Sequence, residues 1–172
     1  MSILPTEKKI KVNKGDILLK QGQITKHGYL VKTGCLKSYT LDNNGKEHIL
    51  QFAPENWMIS DLDSFTNQIP SVIFIEAIED SEVAFISKSE FNDISQLEKP
   101  ELVEIATKFR NNLIATNKRV IGLLSATSEQ RYIDFTILYP TLVQRLPLKL
   151  IAAYIGVTPE YLSEIRRKLA KK

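Results

Sequence analysis

Basic side chains are concentrated at the C-terminal end of this 172-residue chain. Residues 145–172 hold seven Lys or Arg against two Glu, a net charge of +5, whereas residues 1–144 carry a net charge of −2. Lys and Arg neutralise nucleic-acid phosphates, and polar side chains read base edges in the major groove. The overall charge of +3 is too small to indicate such a partner, so the inference rests on the asymmetry.

The residues that could contact DNA lie on the second of two short helices that the sequence predicts around a glycine. Ile151 and Ile155 lie one helical turn apart, and Gly156 can adopt the left-handed conformation that commonly ends a helix. Thr158 is a suitable N-cap, and Pro159 fits the first position of the next helix. The pattern predicts a helix-turn-helix, which places its second helix in the major groove.

The second helix has an apolar stripe, formed by Leu162, Ile165 and Leu169, and an opposite face that is polar and mostly basic. The candidate DNA-binding residues are Lys149, Thr158, Pro159, Glu160, Tyr161, Ser163, Glu164, Arg166, Arg167 and Lys168. Arg166 and Arg167 are long enough to reach guanine or phosphate, and the lysines suit phosphate. The alternative is a surface helical hairpin whose basic face is simply solvated.

The composition is that of an ordinary globular protein, with 43% apolar and 25% charged residues. A lone cysteine, Cys35, excludes an internal disulfide, and two distant histidines, His27 and His48, make a metal site unexpected. Cys35 is expected to be a buried strand residue, with redox sensing as the alternative. Neither a catalytic cluster nor a signal peptide or membrane-spanning run is evident. The sequence thus predicts a cytoplasmic non-enzyme without metal, cofactor or membrane partner.

Residues 9–86 predict at least seven short strands separated by turns, and the spacing favours an antiparallel sandwich or jelly-roll barrel. We expect successive hairpins, with Asn44-Gly45 as the strongest turn signal and another strand pair across residues 79–81. The predicted strands are 9–12, 17–20, 29–32, 36–41, 47–53, 72–78 and 82–86. A short helix over 87–94 is expected to close the barrel.

A long helix is predicted from Pro100 to about Ser125, and a further amphipathic helix, capped by Ser128, follows over 128–139. Apolar positions of the long helix recur in alternating steps of four and three, which favours a parallel dimer seam. The seam residues are Leu102, Ala106, Phe109, Leu113, Thr116, Val120 and Leu123. The alternative is that this stripe packs entirely on the helix's own barrel.

The predicted fold class is therefore α+β, with three parts in chain order. Residues 1–98 form an antiparallel β jelly-roll barrel, 99–126 a long dimerisation helix, and 127–172 a helix-turn-helix domain. A dimer would present two recognition helices to half-sites about one turn of DNA apart.

This order, together with residues 29–39, 42–47, 49–52 and 150–165, resembles the Crp/Fnr family of bacterial transcription regulators. The resemblance implies a barrel similar to the family's cyclic-nucleotide-binding domain, a homodimer that binds double-stranded promoter DNA, and contact with RNA polymerase. Some members of the family respond to a small molecule in the barrel, so an unknown small-molecule effector is a further partner that the resemblance implies. The family's base-reading positions fall near Pro159, Glu160, Ser163 and Glu164, where the arginine of the best-known members is absent. Base preference is therefore expected to differ.

The stretch that matches the family's phosphate-binding cassette departs from the pattern of members that bind cyclic AMP. Those members carry a Gly-Glu pair and an Arg-Ser or Arg-Ala pair, whereas this chain has Ser60-Asp61 and Pro70-Ser71. No arginine precedes Arg110, so the cassette lacks a bidentate phosphate clamp. Cyclic-nucleotide binding is therefore not favoured. The candidate ligand-binding residues are Ser60, Asp61, Leu62, Pro70 and Ser71.

The main hypothesis is a dimeric, sequence-specific transcription regulator whose barrel biases the relative pose of two DNA-reading heads. The alternative is a small-molecule-binding module whose basic tail contacts a protein or RNA partner. The hypotheses differ in whether binding depends on Glu160 and Ser163 or only on the tail lysines.

Overall fold

The computed structural model describes residues 8–88 and 98–171 of the chain. They form eight strands, in the order β1 Lys9–Val12, β2 Ile17–Leu19, β3 His27–Thr33, β4 Leu36–Leu41, β5 Glu47–Ala53, β6 Met58–Ile59, β7 Phe74–Ala77 and β8 Ser81–Ser87. Six helices accompany them: α1 Leu62–Asn67, α2 Lys99–Ser125, α3 Ser128–Leu138, α4 Leu142–Arg145, α5 Leu148–Ile155 and α6 Pro159–Leu169. The α+β class is confirmed. The helix predicted over 87–94 lies almost wholly outside the described residues.

The strands form two antiparallel four-stranded sheets, in the orders β1-β8-β3-β6 and β2-β7-β4-β5. Their inner faces enclose an apolar core that includes Val31, Leu36, Ile75 and Val83, all fully buried. This is the predicted jelly-roll arrangement, in which alternate residues of each strand fill the space between the sheets.

The predicted pairing of successive strands into hairpins is wrong except for β4 and β5. β1 pairs with β8, β2 pairs with β7, and the strands on either side of residues 79–81 belong to different sheets. The chain changes sheet at tight turns such as Gly34, whose φ of +84° favours glycine and where a Cβ would collide with Ser81. Turns do occur at the predicted glycines, but a tight turn can join either two paired strands or strands of opposite sheets.

The long helix α2 packs one face on the barrel. Ile105 and Phe109 contact the buried cluster of Leu30 and Met58, and Asn112 Nδ2 donates to the Met58 carbonyl at 3.1 Å. Pro100 lies in the first turn, as predicted, where its missing N–H breaks no hydrogen bond. The helix therefore spans from the barrel to the C-terminal helices.

The C-terminal helices share a core with the sheet that contains β5. Phe52 of β5 lies with ring centroids 6.2 Å from Phe135 of α3, 5.9 Å from Tyr139 and 5.4 Å from Tyr154 of α5. The cap predicted at Ser128 is wrong: Thr127 is the N-cap, and its hydroxyl accepts the Gln130 N–H at 3.2 Å. The part of the chain from α3 to α6 is thus packed directly on the barrel.

Candidate nucleic-acid interface

Helices α5 and α6 meet in the predicted glycine turn. Gly156 has a φ of +75°, and the Val157 N–H donates to the Ala152 carbonyl at 3.0 Å, which ends α5. Thr158 then caps α6: its Oγ1 accepts the Tyr161 N–H at 3.2 Å, and Pro159 occupies the first turn. The local sequence alone therefore accounts for this helix-turn-helix.

Helix α6 buries its apolar stripe and exposes its polar face. Leu162 and Ile165 are buried in the core beside Tyr154, and Leu169 packs against the same cluster. The predicted contact residues that are exposed to solvent are Lys149, Thr158, Glu160, Tyr161, Ser163, Glu164, Arg166, Arg167 and Lys168. Pro159 is partly buried. The exposed residues of α6 thus form a continuous surface one helix wide, as a recognition helix requires.

Besides Thr158, the cap of α6, two predicted contact residues have side-chain partners within the described part of the chain. Lys168 Nζ lies 2.9 Å from Glu129 Oε2 of α3, and hydrogen bonding to this carboxylate raises the pKa of Lys168. Ser163 Oγ donates to the Pro159 carbonyl at 3.0 Å. The hydroxyl of Ser163 keeps its acceptor lone pairs, and the charge of Lys168 is partly compensated by Glu129, although its ammonium has further N–H donors.

Arg145 was counted among the cations of the basic end, yet the structure places it against the barrel. Its guanidinium contacts Glu55 at 2.9 and 3.0 Å and Glu79 at 2.5 and 3.1 Å, and it donates to the Gly34 carbonyl. Burial raises the pKa of Glu55, but hydrogen bonds from Arg145 outweigh it and hold that pKa below its ordinary value. The charge of Arg145 is therefore neutralised by two carboxylates of the barrel.

Arg119 links the long helix α2 to both the barrel and helix α5. Its Nη2 donates to the carbonyl of Ile49 in β5, at 2.5 Å, and to the carbonyl of Tyr154 in α5, at 3.1 Å. The guanidinium also lies 4.6 Å from the centre of the Tyr154 ring, close enough for a cation–π interaction. The sequence does not reveal the roles of Arg119 and Arg145, because no local pattern marks a cation whose partners are distant in sequence.

The predicted ligand cassette satisfies its own polar groups. Asp61 is the N-cap of α1, where it accepts the Ser64 N–H at 3.1 Å, and its other oxygen accepts the Ser71 hydroxyl at 2.7 Å. Ser60 donates to the His27 carbonyl at 3.4 Å, and Pro70 forms an isolated bridge with Ile24. Of the five candidate ligand-binding residues, Asp61 and Ser71 lie in direct contact. The structure makes them partners of each other, while Leu62 points largely to solvent.

The predicted dimer seam is largely exposed in the single chain. Leu113 and Val120 are 61% and 47% exposed, and Leu102, Ala106, Thr116 and Leu123 are also exposed. Phe109 alone is only partly accessible, because it also packs on the barrel. The alternative in which the stripe packs wholly on its own barrel therefore does not hold.

Cys35 is fully buried immediately before β4, and burial raises the pKa of its thiol. Within residues 8–88 and 98–171, no group of three His, Cys, Asp or Glu is placed to hold a metal ion. None of the helices described there is long and apolar enough to cross a membrane.

A cavity of about 510 Å³ opens between α2, α3 and α5. Its walls are mainly apolar and include Gly122 of α2, Phe135 of α3 and Ile155 of α5. No sequence pattern predicted it, since a cavity depends on how the helices fail to fill the space between them.

The chain has a two-part fold, a barrel with a helix-turn-helix packed on it, and comparison with known proteins gives the family. The family model for the cyclic nucleotide-binding domain matches residues 9–97, and the chain belongs to this family. The fumarate and nitrate reduction regulatory protein of Vibrio cholerae is 31% identical over 131 residues, which cover 75% of this chain and 51% of the relative. The chain spans about half the length of the curated relatives it matches.

Two solved structures share the fold. FixK2 from Bradyrhizobium japonicum has a TM-score of 0.77 at 18% identity, covering 95% of this chain and 84% of that one. A CRP/FNR-family transcriptional regulator from Thermus thermophilus has a TM-score of 0.69 at 16% identity, covering 95% and 86%. The resemblance to the Crp/Fnr family is confirmed; the relative from Vibrio cholerae is a regulatory protein, and the Thermus thermophilus structure is that of a transcriptional regulator.

Proposed function

We propose that the chain is a cytoplasmic, dimeric transcription regulator of the Crp/Fnr type that binds double-stranded DNA in a sequence-specific manner. The observation that carries the proposal is α6, which is fixed by Gly156 and Thr158 and exposes a polar face with three adjacent cations, Arg166, Arg167 and Lys168. The names of the relatives support it. Contact with RNA polymerase and an effector in the barrel are part of the same proposal.

Each of the three predicted parts of the chain has one role in this proposal. Residues 1–98 act as the sensor, 99–126 as the dimerisation helix, and 127–172 as the DNA-reading head. The exposed apolar seam supports dimerisation, because an unpartnered row of side chains such as Leu113 and Val120 on a long helix favours a second helix. Two heads related by twofold symmetry would read an inverted repeat.

Within α6, the expected roles differ by position. Glu160 and Ser163 lie near the start of the helix, where side chains reach base edges, and a carboxylate accepts from the amino group of cytosine. Arg167 can reach guanine or a phosphate. The closed contact between Asp61 and Ser71 supports a barrel that does not take a cyclic nucleotide in the usual way, since an aspartate at that place would repel a phosphate.

The test is selection of a binding site from a random duplex library with the whole chain, followed by fluorescence anisotropy on the selected duplex. Arg167→Ala should weaken binding and reduce the salt dependence by about one counterion, and Ser163→Ala should change the preferred bases. Lys20→Ala, which removes an exposed cation from the barrel, is the matched control. If no duplex is enriched, or if both α6 variants bind as the control does, the proposal fails. The tail would then fit a protein or RNA partner.

A further inference from the structure

The cavity between α2, α3 and α5 combines apolar walls with an excess of positive charge. Its apolar lining includes Ala115, Ile121 and Gly122 of α2, Phe135 and Leu138 of α3, and Ile155 of α5. A volume of about 510 Å³ lies within the usual range of pockets for small organic ligands. The cavity is separate from the interior of the barrel and from the exposed face of α6.

Three cations and one carboxylate line this space: Lys118, Arg119, Arg131 and Asp134. Asp134 accepts from the side-chain amide of Gln130 at 2.8 Å. Arg131 is held in place by the carbonyls of Ile155 and Ala126, at 2.8 and 2.9 Å. In the described part of the chain, none of the three cations lies within salt-bridge distance of a carboxylate.

Arg119 is the least satisfied of these groups. Its Nε is buried and has no hydrogen-bond partner in the described structure, and its Nη2 is held only by carbonyl oxygens. Burial lowers the pKa of this guanidinium. A half-buried guanidinium without a counter-ion is costly, and an anion placed in the cavity would reduce that cost.

We propose that this cavity binds an amphipathic organic anion, with an alkyl or aryl body against α2, α3 and α5 and a carboxylate or phosphate near Arg119 and Lys118. The apolar walls favour a ligand with an alkyl or aryl body, and the uncompensated cations favour a negatively charged group on that ligand. This site does not depend on the cassette of the barrel, and its ligand binding can be measured without DNA. Its failure is therefore distinguishable from failure of the proposed function.

The test uses the whole chain and three probes of equal chain length: decanoate, decan-1-ol and decyltrimethylammonium, titrated by isothermal calorimetry. Decanoate should bind with one site per chain and more tightly than either of the other two. Arg119→Met should weaken decanoate by about tenfold or more, the loss of one charge-assisted hydrogen bond. Arg110→Met, which removes an exposed guanidinium of the same helix outside the cavity, should leave binding unchanged.

A second variant keeps the test valid if Arg119→Met does not fold. Gly122→Leu fills the cavity from a helical position where a Cβ meets only the Arg131 side chain, at 3.7 Å, so the helix should remain intact. It should abolish decanoate binding while circular dichroism stays unchanged. The proposal is overturned if decan-1-ol binds as tightly as decanoate or if Gly122→Leu binds normally. It is also overturned if affinity falls as the protein is concentrated into dimers, since a second copy would then fill the cavity.

Discussion

Replacing Arg145 by Met should loosen the contact between the C-terminal helices and the barrel. The guanidinium bridges two carboxylates, Glu55 and Glu79, which come from different turns of the barrel and are brought together by this one cation. Methionine keeps much of the side chain's length and apolar contact but leaves the two carboxylates facing each other. The Gly34 carbonyl also loses a donor.

The expected loss of stability follows from the partial burial of the three charged side chains. The side chains of Arg145, Glu55 and Glu79 are 29%, 37% and 25% exposed, so the cluster is neither solvated nor dry. Exposed ion pairs contribute up to about 1 kcal/mol, and breaking a buried pair costs about 3–5 kcal/mol. An intermediate cost of about 2 kcal/mol is expected, which lowers Tm by roughly 4–8 °C in a chain of this size.

Thermal unfolding followed by circular dichroism measures this effect, and Arg110→Met serves as the matched control. Hydrogen bonds from Arg145 lower the pKa of Glu55 despite burial, so the pair stabilises the fold above the ordinary glutamate pKa. That contribution is lost as the pH falls through the lowered value. The variant should therefore lose less stability on acidification than the wild type. A Tm within 1 °C of the control, or an unchanged acid limb, would refute the reasoning.

Two further predictions concern the seam and the cap of α6. Leu113→Glu should turn a dimer into a monomer in sedimentation velocity, because it places like charges opposite each other across the proposed seam. The control variant Asn111→Glu should remain a dimer. A dimer that survives Leu113→Glu must use another surface. Thr158→Ala removes the hydroxyl that accepts the Tyr161 N–H and should cost about 1 kcal/mol in chemical unfolding, whereas Thr158→Ser should cost less. Equal losses of stability in the Ala and Ser variants would show that the capping hydroxyl contributes nothing.

The elements most accurately predicted from sequence are those whose determinants lie within a few residues. β4 and β5 have the predicted bounds, and Gly156, Thr158 and Pro159 define the end of α5 and the start of α6 as expected. Hydrophobic spacing also placed Leu162 and Ile165 in the core. In each case the signal is a local backbone preference or the helical repeat of apolar residues.

Contacts between distant residues were not predictable in the same way. The pairing of β1 with β8 depends on the closure of the whole barrel, and Arg145 finds Glu79 across 66 residues. The two-residue strand β6 and the short helices α1 and α4 were also missed, because each is too short for a clear periodic signal. The net charge of residues 145–172 therefore includes at least one cation, Arg145, that is not free to contact DNA.

If the barrel regulates α6 as proposed, the packing of the C-terminal helices on the barrel limits how a signal can reach α6. One route would swing the head away from the barrel within a protomer, and it would expose Phe52, Phe135, Tyr139 and Tyr154 and break the bridges of Arg145. Burying one large side chain contributes about 1.5–3 kcal/mol, so separating this cluster costs more than a typical allosteric coupling of about 1–3 kcal/mol. The other route moves two barrel–head units relative to each other along α2. It leaves the aromatic cluster intact and needs only a shift along the exposed seam, so the proposed regulation is expected to act between protomers rather than within one.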